Sequence, residues 1–179
     1  MTSQTISRRY AKALLAIGQE DGDFVRYGEE LAAFTAVMAN RDLAEALANP
    51  IYPAESRRKI LDAILAKLSL SKIMQNFLGL LQDKERINRI GDISINYQRL
   101  VDEINNVKRA TVTTAGSISE SVIDQVKKSL EDMTGKTIIL EAKQDPEIIG
   151  GIMAQVGDLT LDGSVKTQLS NLKESLIKG

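Results

Sequence analysis

The stretch DPEIIGGIMAQVGDLTLDGSVKTQL, residues 145–169, changes its periodicity twice and carries its own punctuation. Asp145-Pro146 opens a turn, because the pyrrolidine ring fixes φ and restricts the residue ahead of it. Ile152, Ala154 and Val156 alternate with Met153 and Gln155, which predicts a strand with one buried face. Gly150 and Gly151 stand at its head, where missing side chains let the backbone bulge or approach a neighbour. Gly157-Asp158 closes it. Leu159 and Leu161 alternate again around Thr160, and Asp162-Gly163 reads as a tight turn with glycine at positive φ. Ser164 is the expected N-cap of a last helix, whose Val165, Leu169, Leu172 and Leu176 follow at steps of four, three and four.

Upstream, Ala110, Val112 and Thr114 alternate with Thr111 and Thr113 in a β-branched strand. Ile118, Val122, Val126, Leu130 and Met133 then predict a helix capped by Ser119 and ended by Gly135. Ile138, Leu140 and Ala142 start another strand. Residues 107–179 therefore read as strand, helix, strand, strand and closing helix, a small α/β domain.

Everything before a polar break at Asn105-Asn106 is helical in period. Ile6, Tyr10, Leu14 and Ile17 form the first stripe, with alanines between them that make a shallow surface for another helix. Phe24, Tyr27, Leu31, Phe34 and Met38 form the second, with Asp23 as its cap. Leu43 and Leu47 mark a short third helix ending before Asn49-Pro50. Pro53 suits the start of a fourth, carrying Leu61, Ile64, Leu65 and Leu68. Arg57-Arg58-Lys59 on its first turn reads as a solvated face. Ser71 caps a fifth helix, apolar nearly all round through Ile73, Met74, Phe77, Leu78, Leu80 and Leu81. Such a helix is either central in a bundle or partly exposed as a binding surface. Ile87, Ile90, Ile93, Tyr97, Leu100, Val101 and Ile104 give the sixth and longest stripe. The expectation is a mostly α protein: a six-helix bundle over residues 1–106, then the α/β domain.

Composition removes much chemistry. The chain has no Cys, His or Trp among its 179 residues, so thiol nucleophiles, disulfides, imidazole bases and Cys/His zinc sites are absent. A net charge of −1, evenly spread, provides no basic field for nucleic acid. No apolar run approaches the roughly 18 residues of a spanning helix. The start, MTSQTISRRY, lacks the apolar core of a signal peptide, so the chain is expected to stay inside the cell.

Two motifs come close to a site. Gly135-Lys136-Thr137 matches the tail of a phosphate-binding loop, but the leading glycine would fall at Leu130 and a strand follows where a helix should. Asp158, Thr160, Asp162 and Gly163 imitate the start of a calcium loop whose twelfth position is Leu169 instead of an acid. Neither catalytic residues, a metal nor a cofactor is expected.

The run GG-x4-V-G-D-x3-D-G-S-V resembles the C-terminal signature of the δ subunits of bacterial F-type ATP synthases, counterparts of the mitochondrial oligomycin-sensitivity-conferring protein. RRYAKALLAIGQEDG resembles that family's opening helix, and DKERINRIGDISINYQRLVDE its long sixth helix. The resemblance implies a peripheral-stalk subunit, one copy per complex, at the cytoplasmic face of the bacterial plasma membrane and joined to it only through the complex. Its N-terminal bundle would grip the N-terminal helix of an α subunit in a groove between helices one and five, here Tyr10, Ala13, Leu14 and Ile17 with Met74, Phe77, Leu78 and Leu81. Its C-terminal domain would bind the ends of the b subunits, through Val165, Leu169, Leu172 and Leu176. A helical adaptor of another complex, or a nucleotide-binding enzyme, are the competing classes.

Overall fold

A computed structural model of the chain describes residues 3–116, 119–145, 148, 150–157, 159–165, 167 and 169. The protein is mostly helical and carries a small four-stranded sheet. It divides into two compact units, Met1–Val101 and Asp102–Gly179. Among the described residues no helix is long and apolar enough to cross a membrane.

The first unit contains α1 (Ser3–Asp21), α2 (Phe24–Val37), α3 (Arg41–Ala48), α4 (Ala54–Leu68) and α5 (Lys72–Asp83). A 3-10 turn over Ile87–Arg89 then leads into α6 (Ile90–Ile104), whose last residues pass into the second unit. The stripe read as one long helix is thus interrupted at its start. Its apolar faces meet in one core, with Leu14, Leu31, Phe34, Leu47, Leu61, Met74, Leu78, Leu81, Ile93 and Tyr97 fully buried. Polar bonds fix the register. Glu30 accepts from the Ser71 hydroxyl at 2.6 Å and from its N–H at 3.1 Å, tying α2 to the start of α5. Gln82 Nε2 donates to the Leu47 carbonyl at 3.0 Å, tying α5 to α3. Tyr97 donates from its hydroxyl to the Phe24 carbonyl at 2.8 Å.

Local rules hold at some caps and fail at others. Ser71 caps α5 by accepting from the Met74 N–H at 3.3 Å, and Asn40 caps α3 through the N–H groups of Asp42 and Leu43. Asp23 stands at the N-cap of α2 without a side-chain cap bond. Its carboxylate lies 4.0 Å from Arg26 instead. Ser119 likewise makes no cap bond to α7, its hydroxyl meeting that of Ser121 at 3.0 Å.

The second unit comprises β1 (Val107–Thr114), α7 (Glu120–Thr134), β2 (Thr137–Gln144), β3 (Gly151–Val156) and β4 (Leu159–Ser164). The sheet order is β2-β1-β3-β4, with β1 and β2 parallel across the α7 crossover and the other pairs antiparallel. Ala110, Val112, Ile138, Ala154 and Val156 line one face, covered by Leu130 with Val126 from α7. Met133, at the end of that helical stripe, is exposed. Ile118 lies outside the described residues.

Four strands replace the three read from sequence, because Asp162-Gly163 is not a tight turn. Both residues belong to β4, where Gly163 pairs with Ile152 and Ser164 with Gly151. Gly163 is favoured by proximity: a Cβ there would sit 3.1 Å from the Ile152 carbonyl oxygen, a tight contact that the neighbouring strand would have to relieve. Gly151 is the positive-φ residue, at +89°, and a Cβ on it would come within 2.5 Å of the Gly163 carbonyl oxygen. This pair lets the β3 head lie against the β4 end.

Two outcomes follow from this packing. Gly151→Ala should lower unfolding stability by about 2 kcal/mol in urea titrations, because φ strain and a backbone clash act together. Gly157→Ala, at φ +61° but facing open space, should lose roughly half that. Burial holds the Tyr97 phenol neutral, pushing its pKa up to about 12. An unfolded phenol ionises near about 10, so as pH rises from there the unfolded state sheds its proton first. Thermal stability should fall between pH about 10 and about 12, and fall less in Tyr97→Phe.

Candidate functional site

The region flanked by α1 and α5 is built from one ring contact. Tyr10 and Phe77 meet edge to face, centroids 6.3 Å apart. Arg86, just beyond α5, donates from Nη1 to the Tyr10 hydroxyl at 2.7 Å, with its guanidinium carbon 5.5 Å from the ring centroid. Aromatic and cation–π contacts of this kind hold a ring without demanding that the helix backbones touch.

Position along each helix decides which side chains reach the surface. On α1, Leu14 is fully buried, Tyr10 half-buried, Ala13 exposed, and Ile17 40% exposed. On α5, Met74, Leu78 and Leu81 are fully buried and Phe77 is 8% exposed. Four of the eight groove residues read from sequence, Leu14, Met74, Leu78 and Leu81, are therefore core residues beneath the strip and present no surface of their own. At about 100° per residue, Ile73 and Leu80 share the α5 edge with Phe77. Ile73 is half-buried and Leu80 is 45% exposed. The candidate surface residues are Tyr10, Ala13 and Ile17 on α1 and Ile73 and Leu80 on α5, with the nearly buried Phe77 joining the two helices through Tyr10. Leu80 was legible from its spacing to Ile73 and Phe77. Arg86 carried no sequence signal, since its partner lies 76 residues away.

The basic run on α4 does not form one solvated face. Arg57 is only 6% exposed and donates from Nη2 to Glu85 Oε1 at 3.2 Å. Glu85 takes φ +56° at the end of α5, an unusual conformation for a side-chain-bearing residue. Arg58 pairs with Asp62 at 3.5 Å and Asp83 at 3.3 Å, and the exposed Lys59 with Glu55 at 2.8 Å. Glu55, Arg57, Arg58, Asp83 and Glu85 line a cleft of about 460 Å³ between the start of α4 and the end of α5, with Ala54 and Gln82.

In the second unit, Val165 is 39% and Leu169 61% exposed; Leu172 and Leu176 lie outside the described residues. Asp162 organises the approach to them. Its Oδ1 accepts from the Ser164 N–H at 2.9 Å and its Oδ2 from the Thr167 hydroxyl at 2.7 Å. Ser164 Oγ accepts from the Thr167 N–H at 3.3 Å, as an N-cap would. The carboxylate that imitated a calcium ligand thus serves the backbone. Asp158 and Pro146 lie outside the described residues, as does Ile149 beside Gly150. Gly135 is the left-handed C-cap of α7, at φ +65°, so a helix precedes and a strand follows Lys136. A phosphate-binding loop needs the reverse order.

Replacing Tyr10 by Phe keeps the contact with Phe77 and removes the bond to Arg86. Chemical denaturation should show a loss of about 1.5–3 kcal/mol, the usual worth of a hydrogen bond to a charged group.

The ATP synthase delta (OSCP) subunit family matches residues 6–176. A subunit delta of ATP synthase from Desulfosudis oleivorans is 49% identical over 100% of this chain and 98% of its own length. That of Desulfatibacillum aliphaticivorans is 44% identical over 98% and 97%. A chain in the cryo-EM structure of the Toxoplasma gondii mitochondrial ATP synthase hexamer shares the fold, with a TM-score of 0.69 at 14% identity over 99% of this chain and 98% of that one. By the family match across nearly its whole length, the chain belongs to the ATP synthase delta (OSCP) subunit family.

Proposed function

We propose that the α1–α5 strip grips the amphipathic N-terminal helix of an ATP synthase α subunit, and that the C-terminal unit holds the ends of the b subunits. The chain is a structural, non-catalytic subunit of a membrane-associated complex, part of the peripheral stalk that keeps the catalytic head from turning with the rotor. Its two units then correspond to two grips, one on the α subunit and one on the b subunits, on the cytoplasmic face. One copy suffices for this task.

The observation that carries the head-side grip is the apolar strip itself. Ala13 is small and exposed between Tyr10 and Ile17, while Leu80 stands exposed on the opposite edge. A helix laid over Ala13 can approach closely and bury its own apolar face against both edges. Leu14, Met74, Leu78 and Leu81 form the floor that keeps the edges in place. Burying four large side chains contributes roughly 6–12 kcal/mol gross. Loss of translational and rotational freedom offsets part of it.

Ala13→Trp fills the strip without disturbing the core beneath it. Titration with a peptide from the N-terminus of a matched α subunit should show affinity reduced at least about tenfold, with the melting temperature unchanged. Undiminished affinity would remove Ala13 from the contact and the groove with it.

On the other unit, Val165 and Leu169 provide apolar side chains at the head of the last helical stretch, continued in sequence by Leu172 and Leu176. Leu169→Glu should weaken capture of peptides from the ends of the b subunits by about fivefold or more in a surface-binding assay. Full capture by that variant would mean that the b subunits use another face.

A further inference from the structure

The second unit has one long strand at the edge of its sheet. Beyond β2, Thr137–Gln144, no strand is described. Three bonds fix the direction of its backbone groups. The N–H groups of Thr137 and Asp145 donate to the β1 side, to the Asn106 carbonyl at 3.2 Å and the Thr114 carbonyl at 2.9 Å. The Ile138 N–H points the other way and donates to Glu131 Oε1 of α7 at 3.0 Å. Backbone groups alternate along a strand, so Leu140, Ala142 and Gln144 also direct theirs outward. Glu131 thus closes the edge at Ile138, and the open part begins at Leu140. Leu140 packs on the face that α7 covers, which puts Glu141 and Lys143 on the opposite face, both exposed.

An unpaired edge is a template for another strand, and neither proline nor a break in register blunts this one. Its charges are self-complementary. An antiparallel pair of identical strands centred on Ala142 hydrogen-bonds Leu140 to Gln144 of the second copy, and Ala142 to its counterpart. The positions between them then set Glu141 opposite Lys143 of the second copy, and Lys143 opposite Glu141 of the second copy. Those are the non-hydrogen-bonded positions, where facing side chains come closest and opposite charges attract. Other registers are worse. Centring the pair on Glu141 or Lys143 sets like charges against each other, and centring it on Leu140 calls on the Ile138 N–H that Glu131 already holds.

We propose that the β2 edge is a self-pairing surface, through which two free copies of this chain join antiparallel over residues 140–144. Glu131, Glu141 and Lys143 select the register. The contact is two-fold and isologous, and its shortness makes it a weak, concentration-dependent one. It is independent of the grips proposed above.

The chain has no cysteine, so single cysteines report the register in the full-length protein. Ala142→Cys should give a disulfide-linked dimer on mild oxidation, since facing Cα atoms in such a pair lie about 5.5 Å apart. Gln155→Cys, exposed on the inner strand β3, should not. In sedimentation equilibrium the unaltered chain should show a monomer–dimer equilibrium. Glu141→Lys should weaken it at least about fivefold by turning both attractive pairs repulsive, and adding Lys143→Glu should restore it. A monomer up to millimolar concentration would overturn the proposal and leave the edge to an extended segment of another protein. A dimer indifferent to both charge variants, or equal cross-linking at the two cysteines, would overturn it by placing the contact elsewhere.

Discussion

The contact of Tyr10 with Phe77 and Arg86 is the constraint on which the candidate binding surface depends. Two helices that packed through small residues along their whole length would close over one another. Here a ring stands between α1 and α5, and the guanidinium that holds it comes from beyond the end of α5. Beneath it Leu14, Met74, Leu78 and Leu81 are packed without exposure, so the floor is rigid. Above it Ala13, Ile17 and Leu80 remain in contact with solvent. The same contact therefore supports the bundle and leaves apolar surface for a partner, which is what a connector requires.

The second unit solves a different problem with a different device. Among the described residues, the four short strands are covered on one face by α7, and the β3–β4 end relies on close backbone approach. Gly151 and Gly163 allow the β3 head and β4 end to meet where side chains would clash, and Asp162 then satisfies the N–H of Ser164 and the hydroxyl of Thr167. Asp162, which looked like a ligand in the sequence, instead shapes the entry to Val165 and Leu169. A chain without histidine or cysteine, on the function proposed above, works by being held at two places.

The helices of the first unit were legible because each is amphipathic in its own right: Phe24, Tyr27, Leu31 and Phe34 recur with the period of one buried face, and the same holds around Leu61 and Ile93. What could not be read depends on residues far apart in the chain. Arg57 looks solvated beside Arg58 and Lys59 until Glu85, 28 residues later, is brought against it. Asp162-Gly163 has the composition of a turn, yet its glycine is there for proximity to Ile152, which only the strand pairing reveals. At the candidate site, apolar residues on α5 were identified as a set, but separating the floor from the edge needed to know which side of the helix faces α1. The family resemblance supplied the pair of helices; the ring contact supplied the edge, adding Ile73, Leu80 and Arg86.

The most direct measurement is calorimetric titration of the full-length chain with the N-terminal peptide of a matched α subunit at several temperatures. Helix-in-groove capture requires one-to-one binding with a negative heat-capacity change, the mark of apolar surface leaving water. Absence of binding, or binding with no heat-capacity change and steep salt dependence, would contradict a groove that works by apolar burial.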